Sequence, residues 1–337
     1  MQDHFVLYIS KAHILCERGF VETVEISATE LEKRVLKSAY VEGIQRGKTK
    51  FHERLKLKKS TVDYVMKKLE GETFFSGTNY KLNLAGLGSG KAGWVFVTVN
   101  RMNFDEHMFL EKIFEFPQAQ MIAYITGVYD FAIKITGRNF ESLNEFIINI
   151  EKTFGDILED VHIDFIRKEY KRHYFPVECG ENETVELSSL DKSVVIAKMQ
   201  NPSISLTELS EKCNVHRNTI SNRWKRLWDK KVIIKEVPVL TLKGYEEIGL
   251  GMKAVIVIRS APGKEEELVK ILMKEKEIQD VFTTLSNEII AVTRTKDSTS
   301  LANLHVMLPE KINRLIRKTN TFMVLKNKTR PDLMDTY

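Results

Sequence analysis

The sequence predicts an α+β fold in which two three-helix units, each ending in short β runs, alternate with two β-α-β-β-α-β units. Three observations carry that prediction. Residues 205–227, SLTELSEKCNVHRNTISNRWKRL, read as two short helices joined by a tight turn, the second apolar on one side only. Sliding the chain against itself by about 158 residues exposes a diverged repeat. It lays LKKSTVDYVMKKL (57–69) over VHRNTISNRWKRL (215–227), with Thr61 on Thr219, Val62 on Ile220, Met66 on Trp224 and Leu69 on Leu227. Behind each copy, strand and helix patterns follow in one shared order.

The second copy is the clearer. Leu187, Leu190, Val194 and Ala197 stripe a helix that the Asn201-Pro202 breaker ends. Ser205 and Glu208 form a capping box that starts the next helix, and Leu209 and Cys213 continue its apolar side. Asn214 supplies the turn before the helix marked by Ile220, Trp224 and Leu227. Two β-rich runs, 232–234 and 237–240 around Lys235-Glu236, complete a winged helix-turn-helix. The first copy offers a long helix over 31–44, a short one over 49–55, the 57–69 helix, and wing-like runs at 74–75 and 80–84.

After the first copy come strands over 94–99 and 120–125, with a helix over 104–114 between them. Thr126-Gly127-Val128-Tyr129 turns the chain into a strand at 131–136. Leu143, Phe146, Ile147, Ile150 and Phe154 stripe a second helix, and 161–166 closes the unit. The second copy is followed by 254–259, 264–274, 278–285, 288–295, a helix beginning near Ser300, and 321–325. Each run is a ferredoxin-like unit, an antiparallel sheet with helices on one face and the other face left to pack on a partner sheet. The expected domains are winged helix-turn-helix 26–88, ferredoxin-like 89–175, linker 176–187, winged helix-turn-helix 188–244 and ferredoxin-like 245–330. Residues 1–25 are an unassigned extension.

At 337 residues the chain has room for several domains, and its net charge of +5 is unevenly spread. Residues 184–240 hold ten Lys/Arg against six Asp/Glu and 30–85 thirteen against seven, whereas 91–175 hold ten against thirteen. Positive charge therefore gathers in the two three-helix units, as expected if those meet a polyanion. Cys16, Cys179 and Cys213 are too few and scattered for a disulfide framework, and no C-x-x-C pair suggests zinc. The longest apolar runs, such as 254–258, are too short to cross a bilayer. Residues 1–15 lack the pattern of a secretory signal. The expectation is a cytoplasmic, reduced protein with no membrane partner, no cofactor and no metal site.

Opposite the apolar side of the 217–227 helix lie Asn218, Ser221, Asn222 and Lys225, with Arg217 near the N-terminal tip. Thr219 and Arg223 complete the candidate set. Amide and guanidinium groups pair with base edges and ammonium groups meet phosphates, so this is the surface of a DNA recognition helix. The alternative is an ordinary amphipathic helix with a solvated face. The first copy presents Lys58, Lys59, Ser60, Tyr64 and Lys67, with Lys56 and Lys68 adding charge and Asp63 opposing it. Base reading is expected mainly from the second copy, and charge from the first.

A winged helix followed by a β-α-β-β-α-β domain resembles the Lrp/AsnC, or feast/famine, transcription regulators. The residues carrying the resemblance are LDKSVVIAKMQ and SLTELSEKCNVHRNTISNRWKRLWDKKVI within 188–239, and QMIAYITGVYDFAIK at 120–134. It covers about 30–175 and again 188–330, so the chain looks like two members in tandem. The resemblance implies double-stranded DNA as partner and a pair of recognition helices spaced by about 34–36 Å or a multiple. It implies association through the ferredoxin-like domains, both between the fused halves and as a homo-oligomer, a dimer of the fused chain. It also implies a small effector, often an amino acid, near the turn between the second and third strands. Thr126, Gly127, Tyr129 and Asp130 match that turn, where Asp130 would meet an ammonium group; the alternative is simple hairpin chemistry at Gly127 and a surface carboxylate at Asp130. The second copy reads Leu285-Ser286-Asn287-Glu288-Ile289, without the Gly and Asp.

Two other functions stay open. Some proteins resembling this family are haem-pathway (sirohaem-type) decarboxylases built as paired subunits. For such chemistry the sequence offers one cluster, His162, Arg167, Tyr170, Arg172, His173 and Tyr174, on an expected closing strand and its exit, where polar residues face solvent or connect domains. His52, His107, His216 and His305 are scattered, and neither a Ser/His/Asp order nor a Gly-rich phosphate loop is present, so no enzyme is expected. The third function is an effector-binding or assembly protein that has lost DNA binding.

Overall fold

The computed structural model describes residues 27–45, 50–83, 91–177, 187–312 and 314–329. The expectations for the extension 1–25, for Cys16 and Cys179, and for most of the 176–187 connection fall outside these residues.

Local chemistry sets the first three-helix unit. Thr29 and Glu32 form a reciprocal capping box, with Thr29 N–H donating to Glu32 Oε2 at 2.8 Å, and start α1 (Glu30–Glu42). α2 (Phe51–Leu55) ends at Lys56, whose φ of 55° makes the left-handed turn into α3 (Lys59–Gly71). Leu36, Ala39, Leu55, Val62 and Leu69 meet in the core between them. The second unit repeats this with α6 (Ser189–Gln200), α7 (Leu206–Lys212) and α8 (Arg217–Asp229). Asn214, at φ 51°, takes the place of Lys56.

The wings differ from expectation. Each unit sends out one strand, β1 (Phe75–Leu82) or β7 (Ile233–Leu240), and the two pair antiparallel with each other. The register is reciprocal, Phe75 opposite Leu240 and Leu82 opposite Ile233. Lys235-Glu236 is not a turn because neither residue favours the positive φ that a two-residue hairpin needs. Lys235 is instead fully buried, its ammonium donating to the carbonyls of Val41 and, at 2.7 Å, His173. The ribbon also exchanges core: Tyr80 and Leu82 of β1 pack with Ile220 and Leu227, while Leu240 of β7 packs with Phe74 and Leu69.

Beyond the ribbon, the first β-α-β-β-α-β run is β2 (Lys91–Val99), α4 (Glu106–Glu115), β3 (Ala119–Ile125), β4 (Phe131–Gly137), α5 (Phe140–Phe154) and β5 (Leu158–Arg172), with β6 (Phe175–Pro176) attached to β5. A short helix the sequence reading missed, α9 (Leu242–Glu247), follows β7. The second run is β8 (Met252–Ser260), α10 (Glu265–Lys274), β9 (Ile278–Thr284), β10 (Glu288–Thr295), α11 (Ser298–Ile312) and β11 (Ile316–Thr329). β5 and β11 run well past the expected 161–166 and 321–325, because charged residues such as Lys168 and Lys326 continue strands that are exposed in part.

The two sheets share one layer. Their order is β2-β4-β3-β11-β8-β10-β9-β5, and β5 pairs back onto β2, so eight antiparallel strands close a ring. The seams are β3 with β11 and β5 with β9. Trp94, Phe96, Phe282 and Phe322 fill the interior. Apolar residues under α4 and α5, and under α10 and α11, form separate outer cores. Facing sheets were expected; closure at the edges was not.

Candidate nucleic-acid interface

His216 caps α8 through Nδ1, which accepts the Asn218 N–H at 3.3 Å. Ile220 and Leu227 are buried, and the half-buried Trp224 meets the Tyr80 ring of the ribbon edge-on at 5.0 Å. That anchoring turns Arg217, Asn218, Thr219, Ser221, Asn222 and Lys225 outward, and all six are exposed. Arg223 departs from its expected place on this face. Its guanidinium lies 3.3 Å from the buried carboxylate of Asp191 on α6, with Arg226 at 3.7 Å. An ion-paired side chain against a buried acid holds helices together and is drawn away from a ligand.

On α3, Lys58, Lys59, Ser60, Tyr64 and Lys67 are all exposed, as are Lys56 and Asp63. Lys68 is committed to Glu32 at 2.7 Å, which raises the lysine's pKa and lowers the acid's through the hydrogen bond they share. Two polar helix faces are thus held by units whose cores interlock through one ribbon.

The four residues expected at an effector turn come together between β3 and β4, but three of them serve the seam or its surroundings. Thr126 N–H donates to the Met323 carbonyl at 3.0 Å, and its hydroxyl accepts the Met323 N–H at 3.1 Å. Gly127 has φ +115°, and a Cβ there would stand 3.0 Å from the Phe322 ring. Asp130 accepts from Val99 N–H at 3.0 Å and from the Arg101 guanidinium at 2.6 Å, so a guanidinium within the chain already meets it. Tyr129 stacks on His162 with ring centroids 6.2 Å apart.

The corresponding second turn, discounted for lacking Gly and Asp, builds a polar cluster. His162 Nε2 lies 3.1 Å from Asp164 Oδ2, Ser286 donates to Asp164, and Thr284 and Ser286 hydroxyls are 2.7 Å apart. The Asp164 hydrogen bond raises the His162 pKa. Burial works against the Asp164 charge, but the bonds from His162 and Ser286 outweigh it and hold the carboxyl low. Donor atoms of His162, Asp164 and Glu288 lie within 4.8 Å of one another, the one such set among the described residues with the spacing to hold a cation. The repeat itself carried the signal: the shift that matches 57–69 to 215–227 also lays Arg259 and Glu288 over Arg101 and Asp130, and Arg259 pairs with Glu288 at 3.3 Å.

The other histidine-arginine-tyrosine set disperses along β5 and beyond. Arg167 pairs with Glu265 and Tyr170 packs in the core under α10. His173, expected near solvent or at a connection, is instead buried against the Tyr40 ring at 4.7 Å.

No family model matches the chain. It is 32% identical over 151 residues to an uncharacterised HTH-type transcriptional regulator of Pyrococcus abyssi, covering 92% of that protein and 42% of this chain. It is 30% identical over 141 residues to the HTH-type transcriptional regulator FL11 of Pyrococcus furiosus, covering 90% of it and 42% of this chain. Among solved structures, the sirohaem decarboxylase NirDL in complex with an iron-uroporphyrin III analogue shares the fold over 89% of this chain and 93% of its own, with a TM-score of 0.57 and 11% identity. The two Pyrococcus regulators each match under half of the chain, yet nearly all of their own length is represented in it. The chain belongs to the Lrp/AsnC family of HTH-type transcriptional regulators.

Proposed function

We propose that the chain regulates transcription by binding double-stranded DNA through two unequal recognition helices, α3 and α8, paired within one molecule. The exposed face of α8, with Arg217, Asn218, Ser221, Asn222 and Lys225 free of intramolecular ion pairs among the described residues, carries this reading. Asn218 and Asn222 suit base edges, and Lys225 with the α3 lysines suits phosphates. The names of the relatives support the same class of action.

In this reading the chain is two family members in tandem: winged helix-turn-helix 26–88 with ferredoxin-like 89–175, then 188–244 with 245–330. The reciprocal ribbon and the two seams support that division. The paired sites on DNA are then imperfectly palindromic, because Asp63 and Tyr64 stand where α8 has Ser221 and Asn222. Self-association of the fused chain uses the outer helical layer, since the end strands of the two sheets are already paired with each other at the seams. A small amino-acid effector belongs at the Tyr129–His162 end of the barrel.

Gel-shift titration of genomic fragments at two salt concentrations tests the reading. Sequence-selective retention that weakens steeply with salt is expected. Loss of all selectivity under competitor DNA overturns it. The NirDL likeness concerns the fold, and a visible absorbance spectrum of the purified protein with added tetrapyrrole checks that chemistry separately.

A further inference from the structure

Cations gather at a place that neither the recognition helices nor the turns use. Lys134 from β4, Lys253 from β8, Arg294 from β10 and Arg172 from β5 converge on the end of the barrel nearest the ribbon, where Asp280 of β9 also lies. Register fixes the grouping. Arg294 is the direct cross-strand partner of Lys253, and Lys134 reaches 5.0 Å from the Phe282 ring, two residues along β9 from Asp280. Lys81 of the ribbon strand β1 completes the set, with Arg172, Asp280, Lys134 and Arg294 as its charged neighbours.

Counter-charge is short. Glu169 is paired to Arg172 at 3.3 Å, and Asp280 already accepts the His173 N–H at 2.6 Å. Arg294 serves the Leu250 carbonyl at 3.1 Å and the Tyr245 ring at 3.8 Å. Behind them Lys235 donates to the His173 carbonyl at 2.7 Å. Lys253 finds the Met121 sulfur at 3.5 Å, and among the described residues no carboxylate lies within ion-pair distance of Lys81, Lys134 or Lys253. All three are half-buried. Burial, then the neighbouring cations, pulls Lys253 down to about 7 and Lys81 to about 8, and Lys134 in the same direction. Enclosed ammonium groups lacking acceptors are costly, and an anion relieves that cost directly.

We infer that this end of the barrel binds a small molecule carrying two or more carboxylate or phosphate groups, held by Lys134 and Lys253 of the barrel and Lys81 of the ribbon. The site is separate from the turns where the family resemblance placed an effector. Because Lys81 belongs to the ribbon that carries α3 and α8, the ligand ties their spacing to the barrel; this regulatory consequence rests on the DNA-binding reading above.

Isothermal titration of the full chain with pyrophosphate and with citrate tests the site and separates its phosphate and carboxylate forms. One-to-one binding of at least one probe is expected, weakened by about tenfold or more in Lys134→Met and in Lys253→Met. Lys152→Ala, on the exposed side of α5, is expected to bind as the unsubstituted chain does. Titration near pH 8 in two buffers of different ionisation enthalpy reads proton uptake, because the anion recharges Lys253 and Lys81. That measurement needs no variant. Failure of both probes, unchanged affinity in both methionine variants, or binding without proton uptake overturns the site. DNA affinity measured with and without saturating probe is expected to differ at least twofold. A probe that binds while DNA affinity stays constant overturns the coupling, and a chain that binds probe but no DNA overturns the regulator reading alone.

Discussion

Asn222 faces solvent on α8, whereas Arg223, its neighbour, donates to the buried Asp191. Asn222→Ala is expected to relax preference at one or two base positions with little change in stability, as binding-site selection will read. Arg223→Ala leaves Asp191 with Arg226 as its remaining ion pair beside the Ser188 hydrogen bonds and is expected to cost about 1–2 kcal/mol in chemical denaturation. Trp224→Ala, at a half-buried ring against Tyr80, is expected to cost about 2–3 kcal/mol, below the range for a fully enclosed tryptophan. His162 and Asp164 make a pH-dependent contact on the part of β5 that pairs with β2. The raised His162 pKa means its contribution is complete below the ordinary imidazole value of 6.5 and is lost as pH rises through the folded-state value. The lowered Asp164 pKa means its contribution is present above the ordinary value of 3.8 and is lost as pH falls through its folded-state value. With 42% of the His162 side chain exposed, the imidazole share is about 0.5 kcal/mol or less. Thermal midpoints of His162→Gln and the unsubstituted chain are therefore expected to differ most just below pH 6.5 and to converge as pH rises through the folded-state value. Outward placement was legible for Asn222 and Lys225, whose helical spacing alone turns them to solvent. The place of Arg223 was not, because its partner Asp191 lies on another helix, and helical spacing within α8 carries no information about it.

Each helix of the three-helix units announced itself by a cap or an apolar stripe, as with Ser205 and Glu208 before α7. The partner of β1 did not, since alternation shows that a strand exists and says nothing of where it pairs. α9 escaped notice for a related reason: six residues hold too little periodicity, and its place depends on contact with the preceding unit. There Gly244 backs onto the Phe74 carbonyl so closely that a Cβ would stand 2.0 Å from the oxygen. Gly244→Ala is expected to displace α9 from the ribbon and cost about 2–4 kcal/mol, the range of severe steric and backbone substitutions. Thermal denaturation checks this, and a protease digest should find the α9 segment newly susceptible.

Across the whole molecule, the βαββαβ order was readable twice, and the ring that joins both sheets was not. Closure depends on β3 meeting β11 and β5 meeting β9, contacts between residues far apart in the chain. The same limit hid the His162–Asp164–Glu288 cluster, which draws on β5 and the start of β10. Charge distribution, by contrast, was legible from segment counts. Lysines on both recognition units predict a linear fall of log affinity with log salt, and Lys225→Ala is expected to lessen that slope by about one phosphate contact.

The reciprocal seams also set how the protein responds to its own abundance. A regulator assembled from separate subunits loses its paired readers on dilution, by mass action. Here both partners of each seam belong to one polypeptide, so their encounter is intramolecular and its equilibrium is independent of concentration. Occupancy of a paired site should follow copy number in simple proportion down to the scarcest levels, without the threshold that subunit assembly imposes.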